Sequence, residues 1–145
     1  MGYSKRLAGM VSVAMATAGT IGLITTALAA EMTGAEITEY LSGKTAYIQT
    51  TTASGSREAG QAVIYWASDG TALYKTPSGP MMHGQWETKG NTLCPAWKER
   101  PNTGCIRFEK TGDAVTAFDA KSGELRAKIL KTAPGNAENL APNKT

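Results

Sequence analysis

From Thr45 onward, short apolar runs and turn signals alternate along the chain. Their spacing of roughly 8–12 residues confines the fold to an all-β sandwich or small barrel. Thr45–Thr52 (TAYIQTTT) is rich in β-branched and aromatic residues, and 53–60 (ASGSREAG) is a polar loop. Gln61–Ala67 (QAVIYWA) is the most apolar run beyond the N-terminal segment and reads as a central strand. Ser68-Asp69-Gly70 turns it into Thr71–Thr76, and Pro77-Ser78-Gly79-Pro80 ends that hairpin. Gly84–Thr88 and Thr92–Trp97 flank the turn Lys89-Gly90-Asn91, and the charged segment Lys98–Gly104 (KERPNTG) is expected to be exposed. Cys105–Lys110, Ala114–Asp119 and Leu125–Leu130 alternate apolar and polar residues, the period of a half-buried strand. In this reading Leu125, Ala127 and Ile129 share one face.

Ahead of the strands, Met32-Thr33-Gly34-Ala35-Glu36-Ile37 opens a short helix. Thr33 and Glu36 have the spacing of a capping box, Met32 and Ile37 that of a hydrophobic staple. Ile37 and Leu41 form one apolar face, and Gly43 stops the helix. Two to three turns do not hold alone in water, so the helix must dock. The predicted fold is therefore one short helix and seven to eight antiparallel strands in meander order, a lipocalin-like barrel or a sandwich. Pairing the last strand with the first would hide both sheet edges. The helix would then plug one end or cover one face.

Lys5 and Arg6 precede an apolar run from Leu7 to Ala29 that ends in Ala27-Leu28-Ala29. This is the pattern of a cleavable signal peptide, cut after Ala29 or Ala30. Its small-residue composition favours cleavage over a permanent anchor, so the mature chain is not expected to span a membrane. The predicted organisation is a leader over 1–29, a barrel-like domain over 30–131 and a tail over 132–145, of which Asn136–Leu140 could pack back on the body. The leader holds two of the 15 basic and none of the 12 acidic side chains, which leaves 13 against 12, a net +1. A near-neutral surface offers no clustered basic face for nucleic acid.

Both cysteines, Cys94 and Cys105, lie in the exported part. An even count in an oxidising compartment reads as a disulfide. A redox pair would want C-x-x-C spacing, and a structural zinc site about four ligands where only Cys94, Cys105 and His83 are on offer.

The order M-T-G-A-E-I…L-S-G-K-T, Y-W-x-x-D-G-T, G-x-W…L-C-x-x-W…C and a late G-N resembles the DUF995 family of small exported bacterial proteins. The matching residues are Thr33–Ile37, Leu41–Thr45, Tyr65-Trp66, Asp69-Gly70-Thr71, Gly84, Trp86, Leu93-Cys94, Trp97, Cys105 and Gly135-Asn136. The resemblance implies a periplasmic β-rich domain with a disulfide and supplies no catalytic residues. The basic, proline-containing 98–104 loop departs from it.

No catalytic constellation stands out. His83 is the single histidine, and no serine sits in a G-x-S-x-G elbow. Met81, Met82 and His83 are soft ligands suited to copper or haem iron, but consecutive strand residues point to opposite faces, so no metal or other cofactor is expected. Asp69, Asp113, Asp119 and Glu124 sit in or beside turns, where a carboxylate caps the backbone or is solvated. The aromatics either fill the core or line a barrel mouth. The chain reads as a non-enzymatic periplasmic module that binds a small apolar ligand or an envelope protein. Tyr65, Trp66, Trp86, Trp97 and His83 are the candidate contacts. An enzyme built around His83 and a small-ligand, haem or copper carrier are the alternatives, and a pocket joining His83 to a carboxylate would favour the enzyme.

Overall fold

A computed structural model describes residues 26–51 and 58–142. Most of the expected leader and of the 53–60 loop lie outside these residues. In chain order the elements are β1 (Ala30–Glu31), α1 (Gly34–Leu41), β2 (Lys44–Thr50), β3 (Gly60–Trp66), β4 (Thr71–Lys75), β5 (Met81–Lys89), β6 (Thr92–Trp97), β7 (Ile106–Thr111), β8 (Ala114–Asp119) and β9 (Leu125–Pro134).

Strands β2 to β9 pair antiparallel, each with its neighbour in sequence, and β9 returns to pair with β2. The result is a closed eight-stranded meander barrel, with β1 outside it on β7. Closure removes the unpaired edges that an open sheet would expose. Alternation sets the interior: Ala46 and Ile48, Ala62 and Ile64, Val115 and Ala117 are buried at every second position of their strands. Gly84 sits where β5 lies close against β6. A Cβ there would collide with the Ala96 carbonyl and come within 2.9 Å of the Trp97 ring.

The helix begins as expected. The Thr33 hydroxyl accepts from the Glu36 amide, and a Glu36 carboxylate oxygen accepts from the Thr33 amide at 2.7 Å. Ile37 and Leu41 are fully buried and join one core cluster with Met32, Leu93 and Trp66. The helix thus plugs the end of the barrel at which β2 starts and β3 finishes. A Cβ on Gly34 would overlap the Gly90 carbonyl, so the β5–β6 turn packs directly on the helix start.

The barrel wall is uneven. β2 pairs with β3 from Lys44↔Trp66 to Thr50↔Gly60 and with β9 from Lys44↔Pro134 to Thr50↔Ala127. β6 and β7 share one register pair, Leu93↔Ile106. Just beside that pair, Cys94 and Cys105 are disulfide-bonded with their Cα atoms 4.2 Å apart. Beyond it β7 pairs with β1, at Ala30↔Lys110 and Glu31↔Glu109, and the Met32 amide donates to the Phe108 carbonyl at 2.9 Å.

Two boundaries differ from the sequence expectation. β5 starts at Met81 rather than Gly84, because Met81 and Met82 pair with Lys75 and Tyr74. β9 continues to Pro134, since the first half of β2 needs a partner beyond Leu130. A register shift makes Leu130 the extra residue, and it is left exposed. The segment after β9 does pack back. The Thr45 hydroxyl donates to the Gly135 carbonyl at 2.6 Å and accepts from the Ala137 amide at 2.9 Å, and the Tyr47 hydroxyl donates to Glu138.

Candidate functional site

An eight-stranded barrel is just wide enough to be filled by side chains or to hold one small ligand. Here aromatics fill most of it. Trp66 lies 5.8 Å from Trp86 and 6.0 Å from Trp97, ring centre to ring centre, and Tyr74 lies 5.6 Å from Trp97. The Trp86 indole N–H donates to the Ala67 carbonyl at 2.9 Å, which satisfies its one polar atom. What remains is a slot of about 80 Å³. Its walls include Ile48, Ile64, Trp97 and Phe108, and Leu41 of the plugging helix also lines it. That is roomier than a single water requires and about half the roughly 150 Å³ that admits benzene in an engineered apolar cavity.

The slot's polar groups come from the end opposite the helix. Thr50, Arg100, Thr103 and Arg126 line it there, and the lining contains two arginines and no acidic side chain. Arg100 and Thr103 belong to the loop 98–104, which leaves β6 and returns to β7. The disulfide clamps that loop at its base. His83 clamps it from the side: Glu99 accepts from the His83 amide at 2.8 Å through Oε2 and meets the His83 ring Nδ1 at 2.6 Å through Oε1. The Lys98 amide also donates to the His83 carbonyl at 2.8 Å.

Arg126 is buried, at 8% exposure. Strict alternation along LRAKIL would point it to solvent. A register shift prevents this: Ala117 pairs with Ala127 but Phe118 pairs with Leu125, so Arg126 is the extra residue of a bulge. Its Nη2 donates to the Thr103 carbonyl at 2.6 Å and to Asp119 Oδ2. Its Nε is buried and has no acceptor among the described residues. Asp119 Oδ1 accepts from the backbone amides of Ser122 and Lys121, each at 2.9 Å. Those bonds, the Ser122 one foremost, with the Arg126 guanidinium, outweigh burial and hold the Asp119 carboxyl well below the usual carboxylate range.

The sequence candidates fall into two groups. Trp66 and Trp97 are buried inside the barrel and Trp86 is half-buried against the same cluster, whereas Tyr65 is half-exposed on the outer face. Met82 points inward and His83 outward, as alternation requires, so Met81, Met82 and His83 do not converge. His83 does meet a carboxylate, but both Glu99 oxygens are engaged in holding the loop, and His83 does not line the slot. Burial raises the Glu99 carboxyl, and the hydrogen bonds from His83 bring it below its ordinary value. Asp69 behaves as a turn cap, accepting from the Thr71 hydroxyl at 2.7 Å and its amide at 2.9 Å. Among the described residues, no group of three or more His, Cys, Asp or Glu is placed to hold a metal ion.

The residues that sequence reasoning missed are Arg100, Thr103 and Arg126. A charged loop reads as solvated, and an arginine at a polar position of an alternating strand reads as exposed. The available signal was the Cys94–Cys105 pair, which ties the base of the Lys98–Gly104 loop to the barrel. No family model, curated protein or solved structure matches this chain.

Proposed function

We propose that this chain is an exported, non-enzymatic binding module that carries a small apolar ligand in its barrel. The observation that carries the reading is the apolar slot, closed by a helix at one end and reached from the other past the 98–104 loop. A packed core of this size has no need of such a slot, whereas ligand sites are apolar concavities with a few polar groups fixing orientation. Export to the periplasm is part of the same proposal. A disulfide suits an oxidising compartment, no helix among the described residues is long and apolar enough to cross a membrane, and β1 begins at Ala30, beside the proposed cleavage site. The likeness to the DUF995 family is consistent with it.

The test is a native mass spectrum of protein purified from the periplasm of its own host, set beside a denatured one. A ligand mass present only in the native spectrum supports the carrier and identifies its cargo. A bare monomer that also fails to bind apolar dyes contradicts it, and cross-linking for an envelope partner becomes the next step.

A further inference from the structure

Resting on the carrier reading, we infer that the slot selects a monocarboxylate with a short aliphatic tail, whose carboxylate is taken by Arg126 Nε with Arg100 as a second cation. A guanidinium carries five N–H donors in a fixed fork and no acceptor. Asp119 and the Thr103 carbonyl share Nη2, which leaves Nε, buried in the slot's wall, unpaired among the described residues. A buried donor left without a partner is costly, so such groups in native proteins generally have a purpose.

The charge count points the same way. Asp119 balances one arginine and no acidic side chain lines the slot, so within the slot the half-buried Arg100 is open to an anion, although Glu58 and Glu99 share a neighbouring hollow with it. A charge-assisted bond from a guanidinium to a carboxylate is among the stronger hydrogen bonds available. The remaining lining is apolar apart from the Tyr74 hydroxyl and the indoles of Trp66 and Trp97, which asks for a hydrocarbon behind the anion. At about 80 Å³, with the carboxylate at its polar end, the slot has room for a tail of about three carbons and not for a benzoate-sized ring. Bulge, disulfide and loop therefore act together: the bulge turns Arg126 inward, and the clamped loop supplies Arg100 and the Thr103 carbonyl above it.

The experiment titrates the oxidised, ¹⁵N-labelled chain with butyrate and, separately, with butyramide, its neutral counterpart of nearly equal size. Benzoate serves as the larger, ring-bearing acid. Butyrate is expected to bind at least tenfold more tightly than butyramide or benzoate and to move the Arg126 Nε–H resonance. Arg126→Gln should erase the preference for the acid, and Arg100→Gln should weaken it several-fold. Because the acid–amide comparison uses the unaltered protein, it stands even where Arg126→Gln fails to fold. Equal binding of butyrate and butyramide, or an unmoved Nε–H resonance, overturns the carboxylate site and leaves the carrier reading intact. Benzoate binding as tightly as butyrate overturns the aliphatic class. Failure of all three ligands to bind overturns the carboxylate site, while the native mass spectrum and the apolar dyes decide the carrier reading separately.

Discussion

The two sides of this barrel are built to different standards. On one side β2 is paired along its whole length with β3 and β9, and Thr45 and Tyr47 tie the segment after β9 across its outer surface. On the other side β6 and β7 meet at Leu93↔Ile106 only, and a covalent bridge, the added strand β1 and the plugging helix complete the wall. Backbone ladders hold the first side; a short added strand, side chains and one disulfide hold the second. The weaker seam is also where the loop with Arg100 and Thr103 begins and ends, so the side with fewest backbone bonds carries the candidate site. Regions that bind or admit ligands tend to come from the less stable part of a fold.

This contrast can be broken in graded ways. The largest effect is expected from Asp119→Asn, which leaves the Arg126 guanidinium buried without its counter-charge. Loss of one partner from such a pair costs about 3 kcal/mol or more, measured by urea unfolding. The pH dependence follows from the sign of the shift. Because the folded-state carboxyl is held low, its contribution is complete above the unfolded value of about 4 and is lost as pH falls toward the folded one. The stability gap between wild type and Asp119→Asn should therefore be constant near neutrality and shrink below about pH 4. A gap that stays unchanged in acid would remove Asp119 from the explanation.

Next in size is the double variant Cys94→Ser, Cys105→Ser. Opening a loop of this length should cost about 3 kcal/mol in the chain-entropy model. Thermal melting of oxidised and reduced wild type should reproduce the difference without any substitution. Smallest is Thr33→Ala, which removes the cap of the helix that plugs the barrel and should cost about 1 kcal/mol. Equal melting temperatures for Thr33→Ala and wild type would mean that the helix is held by Ile37 and Leu41 alone.

Much of the wall was legible in the sequence. Turn signals and alternation gave the strand count, the meander order and the helix start, because those depend on local chemistry and a period of two. The disulfide followed from an even cysteine count in a chain expected to be exported. What could not be read were the departures from alternation. Leu130 and Arg126 are both extra residues of register shifts, and a shift depends on what the partner strand offers across the barrel. LRAKIL carries no local sign that Arg126 turns inward. Nor does the sequence show that aromatics would leave a slot, since that depends on how Trp66, Tyr74 and Trp97 tilt against one another. The wall was thus readable and the site was not.

The most direct test of the uneven barrel is amide hydrogen exchange on the oxidised and the reduced protein. On reduction, β6, β7 and β1 should lose protection first and by the largest factor, with β2, β3 and β9 still protected. Equal loss across both sides, or loss beginning in β2 and β9, would contradict a barrel whose seam and slot-covering loop are held together by one disulfide.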